Sequence, residues 1–264
     1  MNAIIELSRK LTADSIVQLA TGKAIAIRVA GFLPPQTCDV ITTLVLASEL
    51  HGAYDNAPRI HRVGCAFFEA GASTTAAIAY LENATHWIET MRAECAPHAL
   101  PMDVLRLHLD EIWPGSAQLT RMCGRQMFAG LIRRFRPGAG ADPHQDHLEW
   151  DAQTAGIDDC PYFDAQLAAN IYMKVPPHGG ELVIWPGSLN RTEYEAARIP
   201  GSYGVRKELL AGAPAVLTPR TGELIMFSSR NTHEVQPSQG DDRVASSNFL
   251  GYSGLYRPLS LWSY

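Results

Sequence analysis

The sequence has no run of basic residues. Lys and Arg total 22 against 27 Asp and Glu, a net charge of −5. A surface that grips nucleic acid through its phosphates carries the opposite sign, so no nucleic-acid partner is expected. Long apolar runs are missing too. No charge-free stretch approaches the roughly 20 residues of a membrane helix, and no membrane partner is expected. The segment Met1–Ser15, broken by Glu6, Arg9, Lys10 and Asp14, has no signal-peptide apolar core. Cysteine is sparse: Cys38, Cys65, Cys95, Cys123 and Cys160 form an odd, widely spaced set without a CxxC pair. That fits neither a disulfide scaffold nor a zinc site. The cysteines read as small buried hydrophobes, and the expected setting is a reducing, cytoplasmic one. Repeats and low-complexity linkers are also absent.

What is present is ordinary for a globular chain. Hydrophobic residues make up 46% and charged residues 19% of 264, enough apolar material for a full core. The pattern changes near residue 124. Before it, helical signals dominate. Ser15 with Gln18 suggests a capping box and Gly22 a helix stop; Ala24–Val29 alternates as a short strand. Pro34-Pro35 opens a helix with Cys38, Ile41 and Val45 on one face. A longer helix is predicted over Thr75–Cys95, ended by Pro97. After Gly124 come short strands: Gln126–Arg136, Leu167–Val175, Glu181–Trp185, Pro214–Leu217, Glu223–Phe227 and Arg243–Tyr252. Turns such as Pro137-Gly138, Pro177-His178-Gly179-Gly180 and Thr221-Gly222 separate them. Strands so punctuated predict an antiparallel sandwich or barrel, here with helices packed against it.

The segment richest in chemistry is Pro143-His144-Gln145-Asp146-His147-Leu148-Glu149. On an extended chain His144 and Asp146 project to one side, His147 and Glu149 to the other. An imidazole and a carboxylate so spaced can share a metal if a third ligand arrives from elsewhere, and His233, beyond the predicted strand Glu223–Phe227, is the natural one. Two histidines and one carboxylate on one face make the facial triad of non-heme Fe(II) oxygenases. The HxE register, His147 with Glu149, stays open beside it.

With these residues in place the chain resembles the Fe(II)/2-oxoglutarate-dependent dioxygenases, in particular the prolyl-4-hydroxylase-like branch. The resemblance covers about residues 125–255 and rests on His144, Asp146, His233 and, ten residues later, Arg243. Pro137-Gly138, Gly179-Gly180-Glu181 and Gly222-Glu223 follow the same pattern, and Gly31-Phe32-Leu33 echoes it weakly. It implies an α+β fold in a single domain. The core is a double-stranded β-helix (jelly-roll, cupin-like) over 125–256, with a mainly helical N-terminal layer over 1–124 and a tail over 257–264. It also implies Fe(II) held by His144, Asp146 and His233, with 2-oxoglutarate and O2 as cosubstrates and ascorbate as a stimulant. Arg243 then holds the far carboxylate of 2-oxoglutarate, and Tyr172 falls where the family places a tyrosine that reaches it. A planar, permanently charged fork suits a buried carboxylate. The competing readings make Arg243 an ion-pair partner of Asp241 or Glu234, and Tyr172 a packing aromatic.

Asp146 keeps the carboxylate that halogenating relatives replace, so hydroxylation is the implied outcome. Nucleic-acid demethylases of the superfamily carry a second Arg six residues after the first, where this chain has Phe249. In size and layout the chain is similar to small bacterial hydroxylases of free or N-acylated amino acids, including N-succinyl amino acids. A small-molecule substrate is therefore expected. A protein-directed prolyl hydroxylase and a metal-free binding module are the alternatives. The segment 149–166 is either a lid or a surface loop. Arg121, Arg133, Arg134 and Arg191 are candidate substrate cations, Arg133 having strand parity opposite to Arg134 and Arg136. Whether the chain is a monomer or a homodimer is left open.

Overall fold

A computed structural model describes residues 3–54, 57–71 and 73–263. The N-terminal part runs β1 (Ala3–Ser8), α1 (Ala13–Ala20), β2 (Ala24–Ala30), α2 (Pro35–Leu46), β3 (His51–Tyr54) and β4 (Ala57–Val63). The helices α3 (Phe67–Ala70), α4 (Thr74–Cys95) and α5 (Pro101–Ile112) follow. Next come β5 (Ala117–Leu119), β6 (Arg121–Met122), β7 (Arg125–Gln126), β8 (Leu131–Phe135), β9 (Ala141–His144), α6 (Leu148–Thr154) and β10 (Ala165–Lys174). The chain closes with β11 (Leu182–Ile184), α7 (Arg191–Ala197), β12 (Ala215–Leu217), β13 (Leu224–Ser228), β14 (His233–Val235), β15 (Arg243–Tyr252) and β16 (Leu259–Trp262).

A major sheet orders its strands β1-β2-β13-β10-β15-β8-β4-β3, and a minor sheet orders them β12-β11-β14-β9. One cavity is lined from both sheets, by Phe135, Phe227 and Arg243 of the major and His144, Leu182 and His233 of the minor. This is the double-stranded β-helix expected from the sequence. The helices α1 and α2 pack on β10, covering the outer face of the major sheet. Buried on both faces, β10 and β15 read as near-continuous buried strands rather than alternating ones.

The segment before residue 124 holds more strand than its helical signals predict. Besides β2, it supplies β1, which pairs parallel to β2, and β4, which pairs with β8 and extends the major sheet over the cavity mouth. These strands lie toward the sheet's edges, and their half-exposed pattern gives a weak apolar signal. The first helix is also capped earlier than predicted. The Thr12 side chain accepts from the Ser15 amide and the Ser15 side chain answers it, so Gln18 is not part of the box. Gly179 and Gly180 are both in the left-handed region; a Cβ on Gly179 would lie 2.1 Å from the Pro237 carbonyl oxygen, and one on Gly180 would press on Pro176 and Arg243. That close approach sets the turn before β11 against Arg243 at the start of β15.

Candidate metal centre

Strand pairing brings the predicted ligands together. His144, the last residue of β9, lies directly opposite His233, the first of β14. Their rings are 4.3 Å apart between centroids. Asp146 follows two residues beyond β9. Its amide donates to the Ser229 carbonyl at 3.0 Å, and its own carbonyl accepts from Gln166 Nε2 at 3.0 Å. His144, Asp146 and His233 thereby offer one ligand atom each within 4.8 Å of one another, the group among the described residues with a metal-holding arrangement.

The second nitrogens of the imidazoles decide which atoms are available. His144 Nδ1 lies 2.6 Å from the Asp142 carbonyl oxygen and His233 Nδ1 lies 2.9 Å from that of Asn231. A carbonyl only accepts, so each Nδ1 carries the proton and each Nε2 presents a lone pair. Those Nε2 atoms face the carboxylate, at 3.7 Å from Asp146 Oδ1 for His144 and 3.4 Å from Oδ2 for His233. Burial, reinforced by the neighbouring His233, brings His144 down to about 4. Burial alone would push the Asp146 carboxyl up, but His144, His233 and Arg133 outweigh it and hold it at about 2. At neutral pH His144 is a neutral imidazole and Asp146 a carboxylate, the protonation a metal requires of them.

The HxE register does not form a second set. The strand ends at His144, so parity no longer governs His147, which caps α6 and lines the same cavity instead of projecting away from it. Its Nδ1 lies 3.3 Å from Glu149 Oε1, and Glu149 is held at 3.2 Å by Arg230.

Arg243 begins β15 at 3% exposure, opposite Phe135 of β8. Its Nη2 donates to the Tyr172 hydroxyl at 3.3 Å, and its guanidinium carbon lies 4.9 Å from the ring centres of both Phe135 and Tyr172. Burial lowers its pKa from the ordinary arginine value. Neither competing ion pair forms: Asp241 is bonded to Lys174 and Glu234 to Lys207. Nε of this buried cation has no hydrogen-bond partner among the described residues, a costly state unless an anion completes it. Tyr172 is fully buried behind Arg243 and is not itself a cavity-lining residue.

The other arginines separate by parity. Arg133 lines the cavity and donates from Nε to the Tyr54 hydroxyl at 3.1 Å, whereas Arg134 pairs outward with Asp242. Arg191 lies at the cavity mouth, bonded to Gln153 and Thr154; Arg121 bonds the Gly124 carbonyl. The segment 149–166 forms α6 and a following loop, and Trp150, Asp151 and Thr154 line one wall. Sequence reasoning missed Tyr203 and Phe227. Tyr203 sets its ring edge-on to His144 at 5.5 Å, and Phe227 to His233 at 4.8 Å. Neither carries a motif. Phe227 lay in a predicted strand, but only the sheet pairing aims it at the metal side.

Residues 130–251 match the family model of the 2OG-Fe(II) oxygenase superfamily. L-gamma-glutamyl-L-propargylglycine hydroxylase of Streptantibioticus cattleyicolor is 28% identical over 176 residues, which are 63% of this chain and 61% of that protein's own length. Leucinostatins biosynthesis cluster protein S of Purpureocillium lilacinum is 27% identical over 78% of this chain and 86% of that protein. An N-substituted L-amino acid dioxygenase from Burkholderia ambifaria shares the fold with a TM-score of 0.69 at 16% identity, covering 96% of this chain and 92% of that one. Its complex with alpha-KG aligns with a TM-score of 0.65, over 95% of this chain and 90% of that one at 15% identity. The likeness to the 2OG-Fe(II) oxygenase superfamily thus rests on residues 130–251, just under half of the chain. Fe(II) and 2-oxoglutarate are that family's metal and cosubstrate, and the residues here suit both. Two Nε2 atoms and one carboxylate converge, and the buried Arg243 has an Nε without a partner among the described residues.

Proposed function

We propose that this protein is an Fe(II)- and 2-oxoglutarate-dependent hydroxylase of a small amino acid derivative. The observation that carries this reading is the convergence of His144, Asp146 and His233 in one cavity with the incompletely paired Arg243. When bound, Fe(II) with 2-oxoglutarate and O2 supplies oxidation of an unactivated C–H, 2-oxoglutarate leaving as succinate and CO2.

The chain's own residues do the rest. His144 and His233 give the metal their Nε2 lone pairs, held in place by the Asp142 and Asn231 carbonyls, and Asp146 gives it a carboxylate oxygen. Arg243 takes the far carboxylate of 2-oxoglutarate in a charge-assisted pair. The Tyr172 hydroxyl accepts from Arg243 and so holds the guanidinium in position for that carboxylate. Phe135, Phe227 and Phe249 line the space between and exclude water. The cavity, about 340 Å³, has the size of a small-molecule site, and Arg133 offers a cation to a substrate carboxylate. The substrates named for the relatives, a γ-glutamyl amino acid and N-substituted amino acids, support the same class.

The test is succinate release from 2-oxoglutarate with Fe(II), across free amino acids, N-acyl amino acids, γ-glutamyl amino acids and peptides. A product heavier by one oxygen atom is sought in each reaction. The expected result is turnover on a small amino acid derivative that disappears in His144→Ala. No stimulated succinate release from any of the panel would overturn the reading.

A further inference from the structure

One wall of the cavity carries polar atoms without partners among the described residues. His147 Nε2 and Asp151 Oδ2 are buried, and neither has a hydrogen-bond partner among the described residues. The two side chains are four residues apart, with the Asp151 amide bonded to the His147 carbonyl at 3.3 Å. One helical turn therefore sets them on the same face, and both line the cavity that holds the triad.

The Glu149 carboxylate beside His147 only accepts, so Nδ1 carries a proton, and Nε2 is the ring nitrogen left without a partner among the described residues. Trp150 stacks on the imidazole at 3.7 Å and 12°, fixing that ring. Among the described residues Asp151 forms no ion pair. Arg191, whose charge acts on it, bonds Gln153 and Thr154, and Arg198 bonds Glu195 and the Ser202 carbonyl. Burial, with Asp146 adding to it, pushes the Asp151 carboxyl up to about 8. An unpaired buried carboxyl is expensive to keep, and the reaction already described uses neither this group nor His147. What complements a buried carboxyl with no counter-ion among the described residues is a compact cation with several N–H donors, whose charge favours the ionised form.

Building on the hydroxylase reading, we propose that Asp151, with His147 one turn before it, binds a protonated amino group of the substrate. The substrate class is thereby narrowed to amino acid derivatives that keep a free ammonium, such as γ-glutamyl amino acids or free amino acids. Derivatives in which that nitrogen is absent or acylated are disfavoured. Binding leaves the Asp151 carboxylate paired, while the substrate carboxylate turns to Arg133, which lines the same cavity.

The test uses probes that differ at this group alone: γ-L-glutamyl-L-leucine against N-glutaryl-L-leucine, and L-leucine against N-acetyl-L-leucine. Dissociation constants are measured on the full chain loaded with Mn(II) and 2-oxoglutarate, so that no turnover intervenes. The wild type is expected to favour the ammonium-bearing member of at least one pair by tenfold or more. Asp151→Asn is expected to erase that preference and leave 2-oxoglutarate binding unchanged, and Asp151→Glu to restore part of it. The proposal is overturned if the wild type fails to favour the ammonium-bearing member of either pair, whether it binds both members equally or binds none. It is also overturned if Asp151→Asn weakens both members alike. Loss of 2-oxoglutarate binding in the wild type is a different failure, which sinks the hydroxylase reading itself.

Discussion

The floor and the wall of the cavity are built on different principles. The floor is made of strand ends: β9 and β14 in direct register set His144 against His233, and β15 beside β8 sets Arg243 against Phe135. Every imidazole there has its second nitrogen tied to a backbone carbonyl. The wall is made of α6 and α7 with the turn that leads into α6, and it leaves His147 Nε2 and Asp151 Oδ2 unmatched. A floor with little freedom suits ligands that never change, the metal and the cosubstrate. A wall with unmet hydrogen bonds suits a ligand that completes them on arrival. In the proposed hydroxylase, reaction class is thereby assigned to the one and substrate choice to the other.

Breaking the floor should cost most. Asp146→Ala or His233→Ala is expected to weaken Mn(II) or Fe(II) binding by more than about a hundredfold, beyond the loss seen when only an outer partner of a ligand is removed; equilibrium dialysis reads it. Arg243→Met comes next. Removing one partner of a buried charged pair costs about 2–5 kcal/mol, so 2-oxoglutarate affinity should fall by at least about thirtyfold while metal binding persists. Calorimetric titration with 2-oxoglutarate separates the two.

The wall predicts a change of opposite sign in stability. Asp151 titrates at about 8 in the folded chain against an ordinary 3.8. The folded state therefore holds more protons than the unfolded one across that window, and this group's contribution is lost as pH rises toward 8. Asp151→Asn should unfold at a higher temperature than the wild type at pH 8, with the gap closing toward pH 4. Thermal melts across that range check it, and a gap that widens at low pH would contradict the burial of this carboxyl. Smallest is Tyr172→Phe, which removes the long hydrogen bond that positions Arg243, about 1.5 kcal/mol, and should weaken 2-oxoglutarate by about tenfold or less without touching the metal.

The same division explains what could be read without coordinates. The strands after residue 124 announce themselves through turn residues and apolar runs, and β15 falls where predicted, at Arg243–Tyr252. His144, Asp146, His233 and Arg243 form an ordered pattern because strand register ties distant positions to one point. Strand parity also separates Arg133 from Arg134. It fails at His147, since β9 ends at His144 and a helix follows at once. The carbonyls of Asp142 and Asn231, which fix the imidazole tautomers, are backbone groups and leave no trace in composition. Asp151 looks like any surface aspartate until helix packing buries it. Tyr54, Ala57 and Ile60, which reach the cavity from β3 and β4, lie in a segment whose alternation is too weak to declare a strand.

The most direct test of the central claim compares His144→Ala with His147→Ala by equilibrium dialysis against Mn(II) and Fe(II). The wild type should bind one metal ion per chain. His144→Ala should lose it, and His147→Ala should retain it at nearly wild-type affinity. Retention in His144→Ala together with loss in His147→Ala would contradict the assignment of the centre to His144, Asp146 and His233.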